Sequence, residues 1–378
     1  MRSAETGPLK GLRIVGMEGL GPAPLAGQLM ADLGAEVTLI TRKSRPADPT
    51  DINNRGKRSI ALNLKSSEGI EVARRLVARA DVLIEGFRPG VMERMGLGPE
   101  TFPDNPGLIF ARMTGWGQDG PLAMTAGHDI NYLGLTGFLQ AIGRADDSPP
   151  PPLNIGADYG GGTMFLIFGI LSALYERQTS GLGQVVDAAM VDGASALMGL
   201  VHSFIARGQW VDRREANILD GGAPFYRTYE CKDGRFLAVG PLEPQLFAEL
   251  VRLAGLPEEH LATQMDQKSW PERRAAYATV FASKTRDEWA ALFDGSDACA
   301  TPVLTWAEAP MHPHMAARGT FVTSGGVTQA APAPRFSRSQ PGDVTLPPAP
   351  GGDTDAVLSE LGYDDGDLAR LRARGVLT

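Results

Sequence analysis

Two polar residues in glycine-containing segments have the chemistry to exchange a proton. His128 lies in the run GHDINY at positions 127–132, and Asp158 precedes three glycines at positions 160–162. An imidazole and a carboxylate are the side chains best suited to trade a proton near neutral pH. The glycines predict turns at both positions, from which the two groups can project into a cleft.

Both residues also have a purely structural interpretation. A single loop histidine can serve only as a hydrogen-bonding group, and Asp158 can cap a helix that begins at the three glycines. Glycines directly after a cap weaken a helix, however, and they leave backbone amides bare for a ligand or an oxyanion. The sequence alone leaves these alternatives open.

Composition predicts a soluble globular protein of two domains. The chain has 378 residues, of which 43% are hydrophobic and 21% are charged. The net charge of −8 argues against nucleic acid or an anionic membrane as a partner, because both require a basic face. Cys231 and Cys299 form neither a disulfide framework nor a zinc motif, so no metal site is expected. No targeting segment is evident, and we expect a cytoplasmic protein.

Alternating apolar segments and turns predict an α/β fold for the first domain. A strand at residues 12–17, a glycine turn, a helix at residues 25–33 and a strand at residues 36–40 form a βαβ unit, which favours a parallel sheet. The other elements predicted in this half are strands at residues 59–64, 82–84, 108–113 and 184–188 and helices at residues 67–80 and 190–206. The apolar run at residues 164–175 predicts a buried helix, because it is shorter than the roughly 20 residues that cross a bilayer.

The second half predicts a smaller α+β domain. Residues 224–240 alternate like an antiparallel pair of strands around a turn at 232–234, and helices follow at Pro244–Ala254 and Trp270–Phe281. A Pro- and Gly-rich segment at residues 330–352 precedes a short helix at 354–361. The predicted boundaries are a large domain at 1–200, a linker at 201–224, a small domain at 225–310, and at 311–378 a return linker and C-terminal segment that packs on the large domain.

A group of basic residues follows the second strand. Arg42 ends this strand, where a guanidinium can grip a phosphorylated ribose or stack on adenine. Arg45, Arg55, Lys57, Arg58 and Lys65 follow. This concentration indicates a docking site for a polyanionic small molecule such as coenzyme A, with a solvated basic loop as the alternative. A nicotinamide site fits poorly, because Pro24 replaces the third glycine of the dinucleotide fingerprint.

Six motifs together resemble a known family. They are GFRPGV at 86–91, MTGWGQ at 113–118, GHDINY at 127–132, NIGADYGGG at 154–162, QVVDAAM at 184–190 and GGAPFY at 221–226. With them the chain resembles the α-methylacyl-CoA racemases, within the family III CoA transferases (CaiB/BaiF-like proteins), from about residue 9 to residue 336.

The resemblance implies a fold, an assembly and residue roles. It implies a large Rossmann-like parallel-sheet domain with a smaller α+β domain, an interlocked homodimer with active sites between subunits, acyl-CoA as substrate, and no metal or redox cofactor. His128 and Asp158 become the acid/base pair, and Glu243 orients the histidine. The contacts to coenzyme A carry over to Arg42, Leu62, Asn63, Leu64, Lys65, Arg88, Gly127, Asp129, Ile130, Asn131 and Tyr132.

The reaction expected from this family is racemisation of 2-methylacyl-CoA thioesters by two-base proton transfer through an enolate. Three alternatives remain: a CoA transferase with Asp158 as nucleophile, a non-catalytic acyl-CoA-binding protein and, least favoured, an NADP-dependent reductase. His128 favours the racemase, because a nucleophilic aspartate needs no proton donor across the α-carbon. The native acyl chain stays open.

Overall fold

The computed structural model describes residues 7–378, which divide into two compact units. Unit 1 comprises residues 7–136, 152–197 and 314–378, and unit 2 comprises residues 137–151 and 198–313. Two segments differ from the predicted boundaries. Residues 137–151 were expected in the large domain and residues 201–224 in a linker, but both belong to unit 2. The chain therefore enters unit 2 once between His128 and Asp158.

Unit 1 is built on a six-stranded parallel sheet, as predicted. Its strands are β1 (Arg13–Met17), β2 (Glu36–Thr41), β3 (Arg58–Ala61), β4 (Val82–Glu85), β5 (Ile109–Thr114) and β6 (Val185–Ala189). The order across the sheet is β3-β2-β1-β4-β5-β6. The apolar residues of β1, β2 and β4 are almost fully buried, because helices cover both faces. The order reverses between β1 and β4, and ligands of open α/β sheets bind outside the carboxyl ends of strands at this point.

The helices of unit 1 include the predicted ones, with changes at their ends, and several that were not predicted. They are α1 (Pro22–Asp32), α2 (Ser67–Val77), α3 (Val91–Arg94), α4 (Asp129–Leu135), a π-helical segment (Ile155–Thr163), α6 (Met164–Ser180), α7 (Met190–Leu197), α13 (Thr354–Glu360) and α14 (Asp365–Ala373). Helix α1 begins three residues before its predicted start, because Pro22 supplies the φ angle that suits a first helical position. The single helix predicted at residues 190–206 is wrong, since it breaks at Met198 into α7 and α8 (Gly199–Ala206).

Residues 164–175 form a helix as predicted, but the prediction that this helix is buried is wrong for one of its faces. Leu166, Ile170 and Ala173 of α6 are buried. On the opposite face Met164 is 54%, Phe168 69% and Tyr175 77% exposed. Together with the π-helical segment, α6 forms a 26-residue helical stretch whose length and apolar composition would suffice to span a membrane, although core helices of soluble proteins meet the same criterion. We call residues 164, 168, 171 and 175 the α6 apolar stripe; their spacing of four, three and four residues places them on one side of the helix.

Unit 2 holds a three-stranded antiparallel sheet against helices. Strands β7 (Arg227–Glu230) and β8 (Phe236–Val239) are the predicted pair, and β9 (Ala300–Pro302) adds a third. Helices α9 (Pro244–Ala254) and α10 (Trp270–Phe281) match the predicted bounds, whereas α11 (Arg286–Phe293) was not predicted. The helix α5 (Phe138–Ala141) also lies in this unit, and α12 (Pro313–Arg318) begins at its last residue. Short 3₁₀ turns lie at Ile52–Asn54, Pro99–Thr101, Glu258–Thr263, Gln267–Ser269 and Ala309–Met311.

The last 65 residues return to unit 1. They form the hairpin of β10 (Phe321–Ser324) and β11 (Val327–Ala330), followed by α13 and α14. Val357, Leu358, Leu368 and Leu371 join the core cluster that contains Ile60 of β3. The backbone amide of Asn63 donates to the carbonyl of Val376 at 2.8 Å, so the chain end supports the segment that follows β3.

Candidate active site

His128 occupies the N-cap of α4, where the sequence predicted a turn. Its backbone is extended, with φ −132° and ψ 172°. Its amide donates to Oδ1 of Asn131 at 3.0 Å, which fixes the point where the helix begins. The side chain is exposed. The imidazole is thus carried on a defined helix end and stays open to a ligand.

The turn before His128 is fixed by an aromatic pair. The rings of Trp116 and Tyr132 meet edge to face with centroids 4.8 Å apart. The hydroxyl of Tyr132 donates to the carbonyl of Gly127. A Cβ atom at Gly115 would lie 2.2 Å from the Tyr132 ring, so only glycine fits beneath it. The MTGWGQ and GHDINY motifs therefore form one packed unit.

Asp158 lies in the middle of the π-helical segment Ile155–Thr163 rather than at a helix cap. The glycines that follow it serve packing, which corrects the expectation of bare amides that could hold an oxyanion. A Cβ atom at Gly161 would lie 2.5 Å from the amide nitrogen of Ala194 and 2.7 Å from the carbonyl oxygen of Met190. The backbone of the segment thus contacts the backbone of α7 directly, and this contact fixes the turn that presents Asp158.

The side chain of Asp129 joins the segments that carry His128 and Asp158. Its Oδ2 accepts the backbone amides of Ala157 at 2.7 Å and of Asp158 at 2.8 Å. The residue is only 4% exposed. Because Asp129 follows His128 directly in sequence, its carboxylate ties the backbone beside the histidine to the backbone of the aspartate. The structure thereby brings His128 and Asp158 into one site.

The surroundings of Asp158 favour its acid form. Burial raises the pKa of the Asp158 carboxyl, and the negative charge of Asp129 raises this pKa further. The charge of His128 and a hydrogen bond with the side chain of Asn154 act in the opposite direction, but burial prevails. A Cβ atom at Gly21 would lie 3.9 Å from Oδ2 of Asp158, so the loop between β1 and α1 also reaches this carboxyl.

The basic residues after β2 separate into exposed and structural groups. A cleft of about 510 Å³ at the carboxyl end of β2 is lined by Arg42, Lys43 and Arg45. Arg42 is 80% exposed and Arg45 60% exposed, and both face the carboxylate of Glu18. These side chains are available to an anionic ligand.

Three of the basic residues predicted to contact a polyanion instead bind other groups of the protein, which corrects that part of the prediction. Arg55 is buried and forms two hydrogen bonds with Asp32 at 2.6 and 3.0 Å. Lys57 is buried and donates to the carbonyl of Pro24. Arg58 forms two hydrogen bonds with Glu360. Composition does not distinguish buried from exposed charges. Only the structure shows which of these side chains a ligand can reach.

The other predicted coenzyme A contacts lie on unit 1, after β3, after β4 and at the start of α4. Leu62 is buried and pairs with Leu377, and its amide and carbonyl bond Thr41 and Leu64. Lys65 is exposed and follows Asn63, whose side chain binds the carbonyl of Gly375. Arg88 is exposed just after β4, and Ile130 is 39% exposed in the first turn of α4.

Glu243 belongs to unit 2. It is exposed at the N-cap of α9, directly before Pro244. Its role as the residue that orients His128 stays a prediction from the resemblance.

Two residues of the site were missed by sequence reasoning: Asn154 contacts Asp158, and Gly21 lies beside its carboxyl. Asn154 lies four residues before Asp158, a spacing that brings side chains together on a helix and was the available signal. Asp129 was predicted as a coenzyme A contact, but its side chain is buried and bonds the amides of Ala157 and Asp158 instead.

Comparisons with known proteins find similarity over nearly the whole chain. The model for CoA-transferase family III matches residues 9–354. α-Methylacyl-CoA racemase from Mus musculus is 47% identical over 97% of this chain and 96% of its own length, and the Homo sapiens racemase is 42% identical over 98% and 97%. Succinyl-CoA:glutarate CoA-transferase from Mus musculus is 28% identical over 98% and 90%. A CAIB/BAIF family protein from Brucella suis superposes with a TM-score of 0.79 at 29% identity, over 94% of this chain and all of that one.

Proposed function

We infer that this chain, which belongs to CoA-transferase family III, is an isomerase that interconverts the (2R) and (2S) forms of 2-methylacyl-CoA thioesters. The observation that carries this function is the pairing of an exposed imidazole, His128, with a half-buried carboxyl, Asp158, whose pKa burial raises. The similarity to the two racemases over nearly the whole chain supports the same reaction.

The proposed mechanism uses the two groups in complementary protonation states. The α-hydrogen of an acyl thioester is weakly acidic, so one group removes it while the other delivers a proton to the opposite face. Neutral His128 with protonated Asp158 serves one enantiomer, and protonated His128 with ionised Asp158 serves the other. The pair holds one proton before and after each turnover, so it is ready for the reverse reaction.

Coenzyme A would bind at the carboxyl edge of the sheet. Arg42, Lys43 and Arg45 line the open cleft there and supply charge for phosphate groups. Lys65 and Arg88 are exposed after β3 and β4 and extend the basic surface. We propose no resident metal or redox cofactor, since both steps are proton transfers between side chains and substrate.

The α6 apolar stripe supports a homodimer. Its side chains at positions 164, 168 and 175 are large and apolar, yet each is more than half exposed. Soluble monomers rarely leave such a continuous apolar row in water. Sedimentation velocity is expected to give twice the chain mass of 40.2 kDa. A mass of one chain at micromolar concentration would contradict this part of the proposal.

A CoA transferase is the second candidate, because family relatives include succinyl-CoA:glutarate CoA-transferase. In that chemistry Asp158 would attack the thioester as an ionised nucleophile. Burial and the nearby Asp129 charge disfavour the ionised form, so the site suits proton transfer better.

One experiment separates these functions. A single enantiomer of a 2-methylacyl-CoA is incubated with the protein in deuterated water, with and without a free carboxylic acid acceptor. The racemase gives loss of optical purity with uptake of one deuterium per inversion. Transfer of CoA to the acceptor without deuterium uptake would identify a transferase, and binding without either reaction would leave an acyl-CoA-binding protein.

A further inference from the structure

Asp129 is a buried carboxylate with incomplete hydrogen bonding. It is 4% exposed, and among residues 7–378 no ion pair with a basic side chain is found for it. Its Oδ1 is buried without any hydrogen-bond partner. A buried carboxylate in such surroundings is destabilising, so its presence requires a function.

The other carboxylate oxygen performs a specific task. Oδ2 accepts two successive amides, from Ala157 and Asp158, which lie 28 and 29 residues further along the chain. Residues 137–151 of unit 2 are inserted between these segments. The clamp therefore holds Asp158 in place relative to His128 across an insertion that leaves the unit.

The charge of Asp129 also acts on Asp158. Within the described part of the chain, the charged groups that influence Asp158 are Asp129 and His128, both from the start of α4. Charged groups on the other elements packed against the π-helical segment are engaged elsewhere or exposed. Asp32 pairs with Arg55, Arg112 with Glu85 and Glu93, and Arg177 with Asp81; Asp187 accepts the amide of Gln118, and Glu176 and Asp192 are exposed. Asp129 is therefore the neighbouring group whose charge opposes ionisation of Asp158.

We propose that the Asp129 side chain is a positioning residue: one oxygen clamps the Asp158 backbone beside His128, and its buried charge opposes a second negative charge on the Asp158 carboxyl. This inference rests on the proposed function. An ordinary aspartate beside an imidazole gives its proton to the imidazole, which would leave the pair in only one of its two protonation arrangements. A second buried negative charge shifts the shared proton toward Asp158, so both arrangements are populated and both enantiomers find a ready base.

The test is Asp129→Asn, which keeps an amide-accepting oxygen but removes the charge. The titration of Asp158 is followed by ¹³C NMR on protein labelled at aspartate carboxyl carbons, with the Asp158 signal assigned by its loss in Asp158→Asn. The Asp158 midpoint is expected to move to lower pH in Asp129→Asn. The acidic limb of the kcat/KM profile for α-deuterium exchange is expected to move in the same direction.

Two further variants separate the effect of the Asp129 charge from the effect of its hydrogen bonds. Asp129→Ala removes both, and racemisation at neutral pH is expected to fall by about 100-fold, the loss that a misplacement of about 1 Å can cause. Asp187→Asn is the matched control, because Asp187 also accepts a backbone amide, that of Gln118. It is expected to leave the Asp158 midpoint unchanged.

An unchanged Asp158 midpoint in Asp129→Asn overturns the inference, whatever the activity. If the wild-type protein takes up no deuterium, the proposed function fails instead, while the NMR titration still decides the role of Asp129.

Discussion

The aromatic core of unit 2 and the candidate site of unit 1 differ in whether their buried polar atoms have hydrogen-bond partners. In unit 2, Nε1 of Trp289 donates to the carbonyl of Phe281 at 2.8 Å, and Nε1 of Trp270 donates to the carbonyl of Gln264 at 2.9 Å. In unit 1, Nε1 of Trp116, Nε2 of Gln118 and Oδ1 of Asp129 are buried without partners. Nε of Arg58, Nε of Arg227 and Nδ1 of His312 are also buried without partners among the residues that the structure describes, so the contrast is between the aromatic core and the site and not between the two units.

The difference predicts that substitutions in the two regions have separable effects. Changes in the unit 2 core should lower stability and leave the chemistry of the site intact. Changes to the reactive side chains of the site should alter rates and pH dependence with little loss of stability, whereas changes to its backbone packing should alter both rate and stability. His128→Ala, Trp289→Ala and Gly161→Ala test these expectations, and Lys57→Met tests a buried charge outside both regions.

His128→Ala should give the largest effect, a fall in racemisation of about 100- to 10,000-fold, because a general acid or base contributes this much. The side chain is exposed, so the melting temperature should stay the same. α-Deuterium uptake measures the reaction, and calorimetric titration with coenzyme A should show nearly unchanged affinity. Racemisation at the wild-type rate would remove His128 from the mechanism.

Trp289→Ala should destabilise the protein by about 3–5 kcal/mol, the range found when a buried Trp or Phe is truncated. Trp289 is 1% exposed and stacks against Phe293. Urea denaturation followed by circular dichroism measures the change. Trp306→Ala is the control, because Trp306 is 84% exposed and its loss should change stability by less than about 0.5 kcal/mol. Equal effects of the two variants would contradict the assignment of this core.

Gly161→Ala should destabilise by about 1–3 kcal/mol, because the added methyl group meets the α7 backbone. It should also slow racemisation, since the displaced segment carries Asp158. The control is Gly134→Ala in α4, where a Cβ atom has nothing within 4 Å. That variant should be neutral or up to about 1 kcal/mol more stable. Full activity in Gly161→Ala would show that the π-helical segment tolerates movement.

Lys57→Met should give the smallest effect, visible in the pH dependence of stability. Burial lowers the pKa of Lys57 to about 7, from an ordinary value of 10.5. Between these values the unfolded chain binds a proton that the folded chain does not, so this lysine makes stability rise with pH. The increase between pH 7 and pH 10 should be smaller in Lys57→Met by urea denaturation at each pH. Parallel curves for both proteins would contradict the depressed pKa.

Local sequence patterns predicted most of the fold. The βαβ unit, the strands of the parallel sheet and helices α9 and α10 follow from apolar periodicity and turn residues. Helix α11 and strand β9 were missed, and β9 has only three residues, two of them Ala300 and Pro302, which carry little strand signal. The unit boundaries were also missed, because membership of residues 137–151 depends on contacts distant in sequence.

The site was predictable in its reactive groups but not in their support. His128 and Asp158 stood out as proton-exchanging residues next to glycines. The burial of Arg55 and Lys57 could not be predicted, because a sequence does not show whether a basic side chain is buried against partners or exposed. The role of the Asp129 carboxylate depends on two amides 28 and 29 residues away, which only the folded backbone brings together.

The return of residues 314–378 to unit 1 has a consequence for the order in which the chain folds during synthesis. Val357, Leu358, Leu368 and Leu371 leave the ribosome last, yet they complete the core around Ile60. Residues 198–313 are already made by then and contain nearly all of unit 2. Unit 2 can therefore fold before unit 1 is complete, because the parallel sheet of unit 1 lacks α13 and α14 until the end of synthesis.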